Sequence, residues 1–185
     1  MRKIVIALSG PPGTGTSTVG RILARKLKIE YFSPGKFFKK ESKQKNETNA
    51  ALDRLKTRQG ASRELHEYID NLQIQKAKRG NVLLEGTLSI HFLKDLSNLK
   101  IWLYADIDER AKRTVKRDKL TLTEAKMKII EREKIERAMF EKLYGFDYFD
   151  QEKDADLVVN TTRLTVNEVV NKIFYFVRRK QASNS

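Results

Sequence analysis

The chain has 185 residues, 39% hydrophobic and 34% charged, which fits one domain with its own core. It has no cysteine, which excludes disulfides and thiolate metal sites, and no apolar run near the ~20 residues of a membrane helix. The net charge of +14 suits phosphorylated ligands. The lysines are scattered as on a solvated surface and form no RNA-binding signature, so nucleic acid is expected to bind at most non-specifically.

Residues 4–8 are apolar and largely β-branched, and read as a buried strand. Then comes Gly10-Pro11-Pro12-Gly13-Thr14-Gly15-Thr16-Ser17-Thr18, followed by Val19, Ile22, Leu23 and Leu27 at helical spacing. Strand, glycine-rich turn and helix are the context of a phosphate-binding loop, in which inward N–H groups and a helix N-terminus hold anionic oxygens. The frame G-x-x-x-x-G-K-[ST] aligns, with Thr16 at the lysine position and Ser17 as the hydroxyl that would hold Mg²⁺.

Residues 29–32 read as a second strand, closed by Ser33-Pro34-Gly35. The stretch 39–60 is polar, with weak periodicity. It reads either as a solvated excursion of short helices or loop, or as a cap over substrate. From 62 to 78 the pattern is helical; His66 lies beside Glu67 and Asp70 and reads as a surface or interface residue. Gly80 closes that helix.

Residues 82–86 form another buried strand with Glu85 at its end. Ligands sit at the carboxyl ends of parallel strands, so Glu85 is expected beside the glycine-rich loop. A carboxylate there holds Mg²⁺ directly or through water, or accepts a hydrogen bond from substrate. His91 has packing flanks and reads as structural. Residues 100–104 are a fourth strand. After it Arg110, Arg113 and Arg117 share one helix face, and Arg132 and Arg137 follow on a long helix over 123–143. Surface ion pairs would use the same spacing, but with a phosphate loop upstream the cluster reads as phosphate-binding. Residues 157–160 are a fifth strand and Thr165 caps a last amphipathic helix.

Together these elements predict a three-layer α/β fold of the P-loop NTPase type, with a five-stranded parallel sheet. One kinase-type domain is expected over 1–178, with an acceptor-binding insertion at about 36–78, arginine-rich lid helices at about 108–145, and a disordered tail over 179–185. The N-terminus enters a strand at once and shows no signal-peptide pattern, so a soluble cytoplasmic protein is expected.

The chain resembles the archaeal-type cytidylate kinases, small enzymes that move phosphate from ATP to CMP. The resemblance runs from about 3 to 176. It rests on the glycine-rich stretch, on Lys78-Arg79-Gly80-Asn81-Val82-Leu83-Leu84-Glu85-Gly86, on Asp108-Glu109-Arg110-Ala111-Lys112-Arg113, on Arg132-Glu133-Lys134, on Tyr144-Gly145-Phe146-Asp147 and on Val159-Asn160-Thr161-Thr162-Arg163. Archaeal-type members similarly often carry threonine at the lysine position, as Thr16 does here.

The resemblance implies a monomeric kinase of ATP and CMP or dCMP that uses Mg²⁺. Gly10 to Thr18 would bind the ATP phosphates, Arg113 would lie by the adenine or phosphates, and Arg132 would be a lid arginine on the transferring phosphate. Lys39, Asp70 and Glu85 would serve the substrate, and Ser17 and Glu85 the metal. The chain departs from the family pattern at Lys39, Leu72, Thr87 and Met139, where arginines are usual; Arg137 lies two residues from Met139. Arg54, Arg58 and Arg63 are candidates to replace the lost contacts. Alternative readings are a nucleotide-binding protein without transfer activity and a kinase with a different nucleotide acceptor.

Overall fold

The computed structural model describes residues 3–35, 46–57, 60 and 62–183. Five parallel strands form one sheet: β1 (Val5–Ser9), β2 (Glu30–Phe32), β3 (Val82–Glu85), β4 (Leu99–Tyr104) and β5 (Leu157–Asn160), in the order β2-β3-β1-β4-β5. The expected five-stranded parallel α/β architecture is therefore present. β1 lies at the centre, with Leu8 opposite Glu85 of β3 on one side and Ser9 opposite Trp102 of β4 on the other. These registers bring the C-terminal ends of three strands to one edge, directly under the glycine-rich loop.

The alternation along β1 divides the core. Ile4, Ile6 and Leu8 pack with α1 (Thr16–Leu27) and α7 (Val166–Ser183), through Val19, Leu23, Val169, Ile173 and Val177. Val5 and Ala7 face the other way, toward Ala77 of α3 (Arg63–Arg79), Phe140 of α6 (Leu122–Tyr144) and Tyr148 of a 3-10 helix (Tyr148–Glu152). The period-2 pattern thus feeds both layers, as a central parallel strand must. A short α4 (Ser89–Phe92) follows β3.

The polar stretch after β2 contains α2 (Glu47–Lys56), started by Asn46, whose side chain accepts from the Asn49 N–H. Lys39 and Arg58 lie outside the described residues. The lid region is a helix pair, α5 (Ile107–Asp118) and α6, joined by a Thr121–Glu124 capping box and packed through Ala111, Ala125 and Ile129. The expected disordered tail gives way to helix: α7 continues to Ser183. Val177 is fully buried, Arg178 lies over the Phe174 ring and Lys180 over Phe176, so the last turns keep apolar partners despite their charge.

Candidate active site at the glycine-rich loop

The loop between β1 and α1 is shaped by close approach and by left-handed backbone. A Cβ on Gly10 would lie 2.3 Å from the Leu103 carbonyl oxygen, so the loop can lean on the end of β4 only with glycine there. Gly15 is the N-cap of α1 with φ +96°, a conformation that side chains disfavour. The buried Thr14 hydroxyl donates to the Pro11 carbonyl at 2.8 Å and closes the turn. With glycine as cap, no side chain occupies the first N–H groups of α1, which stay available to an anion.

Glu85, 6% exposed, ends β3 beside this helix N-terminus. Its Oε1 accepts from the Thr16 hydroxyl at 2.8 Å and the Ser17 hydroxyl at 3.1 Å, and its Oε2 accepts from the Tyr31 hydroxyl at 3.0 Å. Burial, reinforced by the neighbouring Glu85 charge, pushes the Tyr31 hydroxyl well above its ordinary value, so it stays a donor. Ser17 and Glu85 therefore converge as the sequence leads one to expect. The described residues contain no cluster of three or more His, Cys, Asp or Glu suited to a metal. One hydroxyl and one carboxylate are the small, hard-oxygen protein share that suits Mg²⁺, whose other positions go to water and phosphate.

The arginines divide by what their forks already hold. Arg110 is buried, donating to the Pro12 carbonyl at 3.1 Å and paired with Glu133; it braces the loop from outside. Arg113 donates to the Thr14 carbonyl at 3.2 Å, the Thr161 hydroxyl at 3.0 Å and the Thr161 carbonyl at 2.6 Å, and pairs with Glu109 at 3.1 Å. It lines the cleft, but its donors tie the phosphate loop to the end of β5. Arg132 pairs through Nε with the buried Glu136 at 2.8 Å. Burial opposes its charge, but the Glu136 carboxylate outweighs burial and holds it firmly protonated. Its terminal amino groups make no hydrogen bond to the described residues while it lines the cleft.

Arg137 is placed elsewhere. It lies outside the cleft, paired with Asp147 and stacked 5.1 Å from the Phe149 ring centroid. On a helix, 132 and 137 are about 140° apart, so one sequence cluster serves two faces. Arg63 donates to the Leu143 carbonyl at 3.1 Å, and neither it nor Arg54 lines the cleft; Arg21 and Arg117 do.

The cleft, of about 880 Å³, runs from the glycine-rich loop to α3 and α6. Its far wall holds Asp70, Gln73, His66, Met139 and Phe140. Burial is the main influence on Asp70 and raises its carboxyl to about 6, against hydrogen bonds from the Tyr144 hydroxyl at 2.7 Å and from Gln73. Gln73 in turn accepts from the Ser89 hydroxyl at 2.7 Å. His66, read from sequence as a surface or interface residue, is buried in this wall, with Nε2 3.0 Å from the Gly60 carbonyl; burial lowers its pKa. His91 stacks on Phe146 at 4.0 Å, in keeping with its structural reading.

Sequence reasoning missed Tyr31, Glu136 and Thr161 as parts of the site. Tyr31 carried one usable signal: Gly20 in the interior of α1, where glycine costs about 1 kcal/mol. A Cβ there would come within 3.1 Å of the Tyr31 ring.

A family model described as the cytidylate kinase-like family matches residues 5–163. The cytidylate kinase of Ignicoccus hospitalis is 36% identical over 169 residues, 91% of this chain and 96% of the relative. That of Thermococcus kodakarensis is 39% identical over 158 residues, 85% of this chain and 79% of the relative. Among solved structures, an uncharacterized protein from Eubacterium ventriosum superposes with a TM-score of 0.70 at 16% identity, covering 95% of this chain and 99% of that one. The shikimate kinase of Acinetobacter baumannii gives 0.61 at 18% identity, covering 96% and 94%. At such identities these two report the fold alone. No helix among the described residues is long and apolar enough to cross a membrane.

Proposed function

The chain belongs to the cytidylate kinase-like family, and we propose that it transfers the γ-phosphoryl group of ATP to CMP or dCMP, giving ADP and the nucleoside diphosphate. The observation that carries this reading is the meeting, in one cleft, of the phosphate loop, of Arg113, Arg117 and Arg132 from the lid helices, and of Asp70 and Gln73 from α3. Two ligands end to end need such a site, walled on the donor side by α5 and on the acceptor side by α3, with α6 running along both. On this reading the protein is a cytoplasmic monomer acting on small nucleotides.

The acceptor phosphate is already anionic, so no general base is needed. A bond forms between its oxygen and the γ-phosphorus as the bond from the γ-phosphorus to the β–γ bridging oxygen breaks. The loop N–H groups and the α1 N-terminus bind the ATP phosphates. Arg113 fixes the loop by gripping the Thr14 carbonyl from the lid side. Arg132, whose terminal amino groups bond none of the described residues, aligns and stabilises the charge on the transferring group. Ser17 and Glu85 would hold Mg²⁺, which when bound would neutralise charge on the ATP phosphates. Asp70, with Gln73 and Lys39, serves the acceptor.

The test is ADP release from ATP and Mg²⁺ with CMP, dCMP, UMP, AMP or GMP as acceptor. Stimulation by CMP or dCMP alone is the expected result. Stimulation by a different monophosphate changes the substrate, and no stimulation with ATP binding retained leaves a nucleotide-binding protein.

A further inference from the structure

Among the described residues the hydrogen bonds to Glu85 come from three hydroxyls, and the Arg132 guanidinium acts on it through charge alone. Thr16 stands where the phosphate-loop pattern has a lysine, so no ammonium group approaches the carboxylate from the loop. Thr16 and Ser17 both donate to Oε1, at 2.8 and 3.1 Å. The other oxygen, Oε2, is held by the Tyr31 hydroxyl at 3.0 Å, from a different strand 54 residues away. A carboxylate on the last residue of a strand has two soft torsions beyond χ1. Fixing one oxygen by a long-range hydrogen bond determines where the other points.

The position of Tyr31 is itself built in. Its ring packs against the core cluster under α1, where Gly20 leaves the space. An added Cβ would lie 3.1 Å from Tyr31 Cε2, 3.1 Å from Leu8 Cδ2 and 3.2 Å from Leu83 Cδ2. Glycine in the middle of a twelve-residue helix is unfavourable, and here the compensation is the passage of an aromatic ring toward Glu85.

We propose that Tyr31 is a positioning residue for the divalent cation: it anchors Glu85 Oε2 so that Oε1 faces Ser17. With Thr16 in place of lysine, the loop offers the carboxylate no ammonium group, and its neutralisation falls to the cation, aided by the charge of Arg132. This rests on the kinase reading only in taking a metal–nucleotide complex as the ligand; it does not depend on the acceptor. Nucleotide phosphates and the carboxylate repel each other until a cation bridges them. The chain therefore depends on the cation for nucleotide affinity more steeply than a lysine-bearing loop would.

The experiment measures Mn²⁺ affinity by the loss of free-ion EPR signal, for the full chain with a non-hydrolysable ATP analogue, in wild type, Tyr31→Phe, Gly20→Ala and Thr16→Lys. Metal-free analogue affinity is measured in EDTA. Tyr31→Phe is expected to weaken Mn²⁺ roughly tenfold, as loss of a carboxylate's supporting partner does, and to leave metal-free affinity within about twofold. Gly20→Ala, which keeps the hydroxyl but displaces the ring, is expected to move in the same direction. Thr16→Lys is expected to raise metal-free affinity and reduce the gain on adding Mn²⁺. Unchanged Mn²⁺ affinity in Tyr31→Phe overturns the proposal. So does an equal fall with and without metal, because that marks damage to the loop as a whole. The acceptor assay reports separately on the kinase reading, since Mn²⁺ binding is read without any acceptor.

Discussion

Asp118, the last residue of α5, caps the first turn of α2 seventy residues earlier in the chain. Its Oδ1 accepts from the Glu47 N–H at 3.3 Å and its Oδ2 from the Thr48 N–H at 3.2 Å. Arg117 donates to both Asp118 and the Thr48 hydroxyl at 2.7 Å and pairs with Glu47 at 3.5 Å. The donor-side helices and the polar insertion are thus joined by one buried carboxylate placed at a helix N-terminus, where negative charge is favourable. Asp118→Ala is expected to cost about 1–2 kcal/mol of stability through the lost cap. It should also raise amide exchange selectively over 47–57. Exchange that rises evenly over the chain contradicts the link.

The same carboxylate sets a pH limit for that contact. Burial works to raise its pKa, but hydrogen bonds from Arg117 and Thr48 and the Arg117 charge outweigh burial and hold it below the ordinary carboxylate value. A depressed folded pKa means that the stabilisation is complete above the unfolded value of ~3.9 and is lost only as pH falls through the lower, folded value. Exchange at 47–57 in wild type should therefore stay slow down to about pH 4, where carboxylates of ordinary pKa are half protonated.

Asp70 has the opposite sign. Its folded carboxyl titrates near 6, above the unfolded value of ~3.9, chiefly because of burial. The folded state then binds the extra proton between about pH 4 and 6, and stability falls as pH rises through that window. The full shift corresponds to about 2–3 kcal/mol. Asp70→Asn keeps an acceptor for the Tyr144 hydroxyl and should flatten denaturant midpoints between pH 4 and 7. A variant curve parallel to wild type would show that Asp70 does not carry the effect.

Arg132 and Arg137 separate two uses of the same residue type. Removing Arg132 leaves Glu136 buried without its partner, which costs about 3–5 kcal/mol for a buried pair. The informative variant is therefore Arg132→Met with Glu136→Leu, which is expected to fold while losing about 10²–10³ in kcat. Arg137→Ala breaks an exposed pair with Asp147 and a stack on Phe149, and is expected to change stability by less than about 1 kcal/mol with kcat intact. A loss of kcat in Arg137→Ala comparable to that of the double variant would reverse the assignment.

Arg113 offers a test of bracing. Its fork spans Thr14 and Thr161, joining the phosphate loop to the β5 end. Lysine keeps the charge and loses the fork. Arg113→Lys should raise the ATP KM by roughly tenfold, equal to about 1.4 kcal/mol, with a smaller change in acceptor KM. An effect on acceptor KM alone would place its function at the other end of the cleft.

The sequence by itself determined the strands, the parallel sheet and the phosphate loop. Hydrophobic period and glycine chemistry act over a few neighbouring residues and are legible there. It also determined that Glu85 would reach the loop, because a strand's end is set by its register. The continuation of α7 to Ser183 escaped the reading, because a charged last turn looks solvated until the stacking of Arg178 on Phe174 is visible.

Only the tertiary structure decided which arginine does what. Arg110, Arg113, Arg132 and Arg137 look alike in sequence, yet two brace the loop, one lines the cleft with terminal amino groups that bond none of the described residues, and one lies outside the cleft. Tyr31 on Glu85 and Asp118 on α2 are likewise pairings between residues more than fifty positions apart. Such pairings depend on where helices dock and on the space left by residues such as Gly20. Packing selects them, and no local pattern encodes them.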